Sequence, residues 1–182
     1  MMKKVALAVL LASGLMAAEN GFYVGADAGN TKYDLKASAL GISAEDNDDG
    51  GSQTVKMGYY LDKNNRASAF YQNVNVDNGD GAMYGVGYDY LIGDNAFKPF
   101  VGALVGYGSA KDDIGEIKMT GPVYGAQAGV NYSFNENFSI EGGYRYLKSN
   151  MDDMVRDPDT GIDVKLEVDT IKNWFIGANY KF

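Results

Sequence analysis

The chain contains no cysteine and no histidine, and only three prolines and one tryptophan in 182 residues. Without cysteine it builds neither a disulfide framework nor a thiolate metal site. Without histidine it lacks the commonest metal ligand and the commonest acid–base group at neutral pH. Neither a G-x-G-x-x-G fingerprint nor a phosphate-binding P-loop occurs. Long apolar runs are missing too. Hydrophobic residues make up 46% of the chain, yet mean hydropathy is −0.26. That excludes a bundle of membrane helices, each of which needs about 20 consecutive apolar residues. Positive charge is in deficit, with 16 Lys and Arg against 24 Asp and Glu. A net charge of −8 argues against nucleic acid as a partner, because phosphate binding needs a basic surface. These absences leave no candidate catalytic residue, cofactor-binding residue or metal ligand, and the protein is expected not to be an enzyme. What is abundant is glycine, 24 residues, and tyrosine, 14 residues. The glycines follow no three-residue period, so a collagen-like chain is excluded.

Lys3 and Lys4 precede a short apolar stretch, Val5 to Leu15, and Met16-Ala17-Ala18 leads into the polar Glu19-Asn20. This pattern predicts a secretory signal peptide over residues 1–18, too short to span a bilayer. Residues 19–182 remain as one exported domain. Removal takes away two lysines and no acid, so that domain is more acidic still.

Along the exported domain the hydrophobic period is two, not 3.6, which predicts strands. Phe22, Val24, Ala26 and Ala28 alternate with Tyr23, Gly25, Asp27 and Gly29. Val55, Met57, Tyr59 and Leu61 alternate with Thr54, Lys56, Gly58 and Tyr60. The same holds in six further segments, giving strands near 21–33, 53–61, 66–76, 82–91, 98–109, 120–132, 138–148 and 169–182. The third has ambiguous parity: Ala67, Ala69 and Tyr71 fit one face, Val74 and Val76 the other, and a bulge would reconcile them. One face of each strand is apolar with aromatic ends. The other is rich in glycine, amides and a few charges. Glycine suits a crowded interior better than a solvated strand surface. The pattern predicts an all-β fold, an eight-stranded antiparallel transmembrane β-barrel of up-and-down meander topology with its apolar face toward lipid. The soluble alternative, a lipocalin-like barrel, would turn the apolar set inward.

Connections alternate in length. Asp62 to Asn65, Gly93 to Ala96 and Asn135 to Asn137 are short turns, whereas the acidic stretches Tyr33 to Gln53, Ser109 to Gly121 and Lys148 to Asp169 are long. Outer-membrane barrels place short turns in the periplasm and long loops outside. Asp46-Asn47-Asp48-Asp49-Gly50 and Asp157-Pro158-Asp159-Thr160-Gly161 resemble calcium loops but lack the EF-hand register. They are expected to be solvated surface loops, with weak divalent binding as the alternative.

Parity turns Asp27, Lys56, Asp89, Lys98, Glu141, Arg145 and Lys181 inward. An eight-stranded barrel is just wide enough to be filled by side chains, so these charges must pair. Asp27, Lys56, Asp89, Lys98, Glu141 and Arg145 are expected to form a polar network closing the lumen, with Asp89 meeting Lys98 near a periplasmic turn. Lys172 points outward near the far membrane face, where it snorkels or reaches lipopolysaccharide phosphate.

Four segments carry a family resemblance: Gly21-Phe22-Tyr23-Val24-Gly25-Ala26, Lys98-Pro99-Phe100-Val101-Gly102-Ala103, Gly142-Gly143-Tyr144-Arg145-Tyr146 and Gly177-Ala178-Asn179-Tyr180-Lys181-Phe182. Across the whole exported domain the chain resembles the small OmpA/OmpX-type outer-membrane β-barrel family. The last segment resembles the C-terminal signal read by the barrel-assembly machinery, carried here by Gly177, Tyr180 and Phe182. The resemblance implies the Gram-negative outer membrane as location, and no cofactor. It implies outer-membrane lipid, lipopolysaccharide and the assembly machinery as partners, with the loops as the place for a host or cell-surface ligand. No separate peptidoglycan-binding domain is expected after Phe182. The implied function is envelope integrity and surface interaction or adhesion through acidic loops; the alternative is a narrow gated channel for small solutes.

Overall fold

The computed structural model describes residues 20–39, 42–76, 79–112, 118–156 and 163–182. The expected signal peptide, residues 1–18, lies outside them, as does Asp157 to Gly161. The alternating segments form β1 (Gly21–Ala39), β2 (Ile42–Tyr60), β3 (Asn65–Val76), β4 (Gly79–Leu91), β5 (Phe97–Asp112), β6 (Lys118–Ser133), β7 (Phe138–Arg156) and β8 (Asp163–Lys181). Each strand pairs antiparallel with the next, and β1 pairs with β8 from Tyr23↔Lys181 to Ser38↔Lys165. The sheet is therefore a closed barrel in meander order. Closure leaves no strand edge, so backbone N–H and C=O groups are satisfied without water.

Two expectations need correction. First, the strands run well past the predicted ends at the side away from the short turns. β1 and β2 are each 19 residues long. At about 3.3 Å per residue and a tilt near 40°, that is a rise of roughly 48 Å, about twice the apolar band of such barrels. Pairing continues unbroken to Ala39↔Ile42. Hence the acidic stretch Asp46 to Gly50 is not a loop: it belongs to β2 and lies opposite Thr31 to Leu35 of β1. The ladder itself drives this, since every added pair satisfies backbone groups that a loop would leave to solvent.

Second, β3 has no bulge. Its registers with β2 and β4 run without interruption. Arg66, Gln72 and Val74 are all buried inside the barrel, while Ala69 and Tyr71 face out. Val74 points inward because the hairpin half of the lumen is apolar. Irregularities occur instead in β8, with one extra residue opposite Asp34/Leu35 of β1, and in β7, with one extra residue between Lys148 and Met151.

The outer surface rules out the soluble alternative. Met57 is 66% and Ile176 61% exposed, whereas the inward Tyr23 and Phe100 are each 1% exposed. A water-soluble monomer does not present so continuous an apolar belt. Aromatic rings border it at both ends. Phe22 meets Tyr59 edge-on at 4.9 Å and Tyr180 meets Phe182 at 5.2 Å near the short turns. Tyr84 and Tyr107 lie 6.4 Å apart toward the hairpin end, where Trp174 is also exposed.

The short turns are built by side chains that copy backbone acceptors. Asp62 Oδ1 accepts the N–H of Asn64 at 2.7 Å and of Asn65 at 2.8 Å. Asn135 Oδ1 accepts the N–H of Asn137 at 2.9 Å and of Phe138 at 2.7 Å. Asn64 then ties one turn to the next, donating to the Leu91 and Gly93 carbonyls at 2.7 and 2.8 Å. Gly93 needs its φ of 94°, a left-handed value that disfavours any other residue.

The Asn64 N–H, helped by the Asn65 side chain, holds the Asp62 carboxyl below the usual carboxylate range. Only the charged form accepts these bonds fully, so its folded pKa lies below its unfolded one. The turn should keep its full order above the ordinary Asp pKa of about 3.9 and lose it as pH falls through the lower folded value. Amide exchange of Asn64 and Asn65 in lipid discs measures this. Asp62→Ala should give fast exchange at every pH, and pH-independent protection in the wild type would contradict the assignment.

Candidate functional site: the lumen

The inside of the barrel is layered. Nearest the short turns, the inward charges come from five strands, with Glu141 and Arg145 both on β7. Asp27 Oδ1 accepts from Lys56 Nζ at 2.8 Å. Lys56 also pairs with Glu141 Oε1. Glu141 Oε2 lies 2.8 Å from Arg66 Nη1, and Arg66 Nε donates to Asp89 Oδ2 at 2.9 Å. Asp89 Oδ1 accepts from Gln127 Nε2 at 2.5 Å, and Gln127 Oε1 accepts from Arg145 Nε at 3.0 Å. Arg145 Nη2 donates back to Asp27 Oδ2 at 2.5 Å. The chain of contacts is a closed circuit across the lumen. It holds three carboxylates, Asp27, Asp89 and Glu141, and three cations, Lys56, Arg66 and Arg145, so it is neutral.

Aromatic faces cover the cations. Arg145 lies 3.9 Å over the Phe175 ring, and Arg66 lies 5.1 Å from Phe100 and 5.6 Å from Tyr23. Glycine makes room at two points. A Cβ on Gly102 would collide with the Asp89 carboxylate, and one on Gly177 with that of Asp27. Toward the hairpins a layer of neutral hydrogen bonds follows: Gln72 and Asn173 both donate to Thr31 Oγ1 at 2.9 Å, and Asn173 also donates to Ser52 Oγ at 2.9 Å. Beyond that the lumen is filled by a buried apolar cluster that includes Tyr33, Val74, Met83, Leu104, Leu147, Met151 and Ile171.

Asp27, Lys56, Asp89, Glu141 and Arg145 are thus brought together. Lys98 is not. The register places Gly102, not Lys98, opposite Asp89, and Arg66 directly across from it on β3. Both Asp89 oxygens are taken by Arg66 and Gln127. Lys98 stays at the barrel mouth, where Nζ donates to the Lys63 carbonyl at 2.7 Å. Arg66 was hidden by the ambiguous parity of the third strand. Its own signal was the even-numbered run Arg66, Ser68, Phe70 and Gln72, which is the inward face once Val74 is allowed inside. Lys172 is drawn sideways onto Asp34, 2.6 Å away. Gly177 belongs to the lumen wall, while Tyr180 is exposed on the outer face and Phe182 is half-buried beside it.

Chemically the circuit holds charge but offers no reactive group to a substrate, since each charged side chain is bound to another. Removing one member should be costly, because its partners keep a buried charge. Glu141→Ala is expected to destabilise the barrel by about 3–5 kcal/mol, whereas the joint replacement Glu141→Leu with Lys56→Met should cost less. Urea unfolding in phospholipid vesicles, followed by Trp174 fluorescence, measures both. A Glu141→Ala barrel as stable as wild type would mean that the circuit carries no net interaction.

The comparisons agree with this architecture. The family model described as outer membrane protein beta-barrel domain matches residues 5–182. No curated protein matches the chain. Among solved structures, Neisserial surface protein A is 25% identical with a TM-score of 0.61, covering 89% of this chain and 97% of its own. Outer membrane protein H of Pseudomonas aeruginosa is 26% identical with a TM-score of 0.56, covering 89% and 99%. OprG of Pseudomonas aeruginosa, 15% identical over 92% of this chain and 99% of its own, has a TM-score of 0.61 and shares the fold. Matched over nearly its whole length, the chain belongs to the outer membrane protein beta-barrel domain family and is an eight-stranded barrel of the bacterial outer membrane.

Proposed function

We propose that the protein is a closed, non-catalytic barrel that contributes to envelope integrity and presents its acidic hairpins for surface interaction. The observation that carries this reading is the filled lumen. Paired charges occupy the half near the short turns and packed apolar side chains the half near the hairpins. In this family's orientation the short turns face the periplasm and the hairpins face outward. The hairpins then stand roughly 20 Å above the apolar band. They present acidic side chains such as Asp49 and Asp80, both exposed, to lipopolysaccharide-bound cations and to a host or cell-surface ligand. The missing histidine supports a non-catalytic role.

Planar-bilayer recording separates this reading from a gated channel. The purified barrel should add no steady conductance. Arg145→Ala should add none either, because the apolar cluster still fills the outer half. Stable single-channel steps in the wild type would refute the closed barrel in favour of the channel. Cells carrying the protein with residues 40–50 deleted should lose surface binding while keeping the barrel inserted.

Gly177, Tyr180 and Phe182 are proposed as the signal for the barrel-assembly machinery. Supporting this, Phe182 closes the ladder by donating its N–H to the Phe22 carbonyl at 2.9 Å, and its ring packs on Tyr180 outside the barrel. One aromatic side chain is worth about 1.5–3 kcal/mol of burial. Deleting Phe182 should therefore leave refolding into detergent nearly normal while sharply reducing inserted protein in cells. Wild-type insertion of the deletion mutant in cells would remove the signal assignment, and equal failure in detergent would make Phe182 a folding residue.

A further inference from the structure

Below the ion circuit the lumen opens toward the short turns as a cup of about 410 Å³. The circuit seals its inner end, so a solute that enters cannot pass through. Three lysines line it: Lys63 from the turn between β2 and β3, Lys98 from the start of β5 and Lys181 from the end of β8. In the closed strand order these positions divide the circumference into near-thirds. On a chain with a large excess of acids, only Asp94 and Glu136 line the same cup as carboxylates. The three ammonium groups are held short of the circuit by contacts that a ligand can replace. Lys98 donates to the Lys63 carbonyl at 2.7 Å, Lys181 lies 5.7 Å over the Tyr60 ring, and Lys63 pairs with Asp94 at 2.8 Å with both side chains more than half exposed. Exposed pairs of that kind contribute little and are easily exchanged.

The rest of the lining is amide and hydroxyl. Asn131 and Ser139 form the floor, and Asn95 stands at the rim. A carboxamide donates and accepts at once, so it matches a peptide unit, whereas three separate ammonium groups match separate carboxylates.

We propose that this mouth is a binding cup for a short carboxylate-bearing peptide, with Lys63, Lys98 and Lys181 as its cationic rim and the exposed Asn95 carboxamide as a peptide contact above a floor of Asn131, whose own amide is bonded to Ser139 and Glu141. The inference deepens the envelope-integrity reading and rests on the turn end facing the periplasm. Acidic peptides there come from two sources, free in solution or attached to the cell-wall polymer. In either case the carboxylates accept from Lys98 and Lys181, and the closed lumen holds the ligand at the membrane instead of transporting it.

The test uses the full barrel refolded in lipid discs, with side-chain amide NMR during titration with acetyl-alanyl-glutamate. Saturable shifts are expected at the Asn95 and Asn131 amides. Lys98→Gln should weaken binding about ten-fold, the loss of one charge-assisted hydrogen bond, and Lys98→Arg should retain it. The diamide of the same peptide should give no shift. Equal shifts from the diamide, from potassium chloride at matched ionic strength or in Lys98→Gln would overturn the cup, as would no shift at all. Lys98 lies outside the ion circuit, so its variants keep the barrel folded, which amide dispersion verifies in the same spectra. Co-sedimentation with purified cell-wall sacculi identifies the source. Lys98-dependent sedimentation supports the cup with the polymer as ligand, and saturable titration without sedimentation supports it with a free peptide. These results are independent of the bilayer recording, so a conducting barrel would remove the closed-lumen reading without deciding this one.

Discussion

Hydrocarbon offers no hydrogen bonds, and the rest of this structure follows from that. Every backbone N–H and C=O within the bilayer must find a partner in the chain, and for strands the solution is a sheet closed on itself. Pairing β1 with β8 does this. It also makes the strand number decisive, because eight strands enclose a space that side chains fill. The exterior needs apolar residues at alternate positions, and the interior receives whatever stands between them.

That interior could have been wholly apolar, but the half near the short turns carries charge. Three carboxylates and three cations from five strands neutralise one another in a closed circuit, and Gln127 from β6 bridges the one gap between an acid and a base. A buried charge is tolerable only when its partner's geometry is good and its remaining hydrogen-bonding capacity is used. The aromatic rings of Phe100 and Phe175 and the space left by Gly102 and Gly177 serve that geometry. Such a circuit adds little net stability over an apolar filling, but it fixes which strand lies beside which, since a register slip would separate the charges.

The two ends of the barrel differ for the same reason. At the hairpin end, strands outlast the membrane, and their inward residues form an apolar cluster that dry packing fills. At the turn end, the connections are too short to cover the mouth. Asp62 and Asn135 instead spend their side chains on the turns themselves, and the lumen ends in an open polar cup. Closure of the barrel and openness of its mouth at the short turns are therefore compatible.

Much of the fold was legible because a period of two is a local property. Which residues face lipid, where the short turns fall and which charges turn inward all follow from alternation within one strand. Asp27, Lys56, Glu141 and Arg145 could be assigned to the lumen in this way. Pairing is not local. Whether Asp89 meets Lys98 or Arg66 depends on the stagger between β3, β4 and β5, and no single strand encodes it. Strand length was underestimated for a related reason: the acidic stretch around Asp48 has no strand propensity of its own and is held extended by its partner strand. Val74 was misleading because an apolar residue on a barrel strand can serve lipid or an apolar core, and only the surrounding cluster decides between them. The sequence by itself determined the barrel, which face of each strand meets lipid and that charged residues enter the lumen, since these are set by side-chain alternation and turn chemistry. Only the tertiary structure decided the partners within the lumen and the cup at its mouth, because both depend on register between strands brought together by closure.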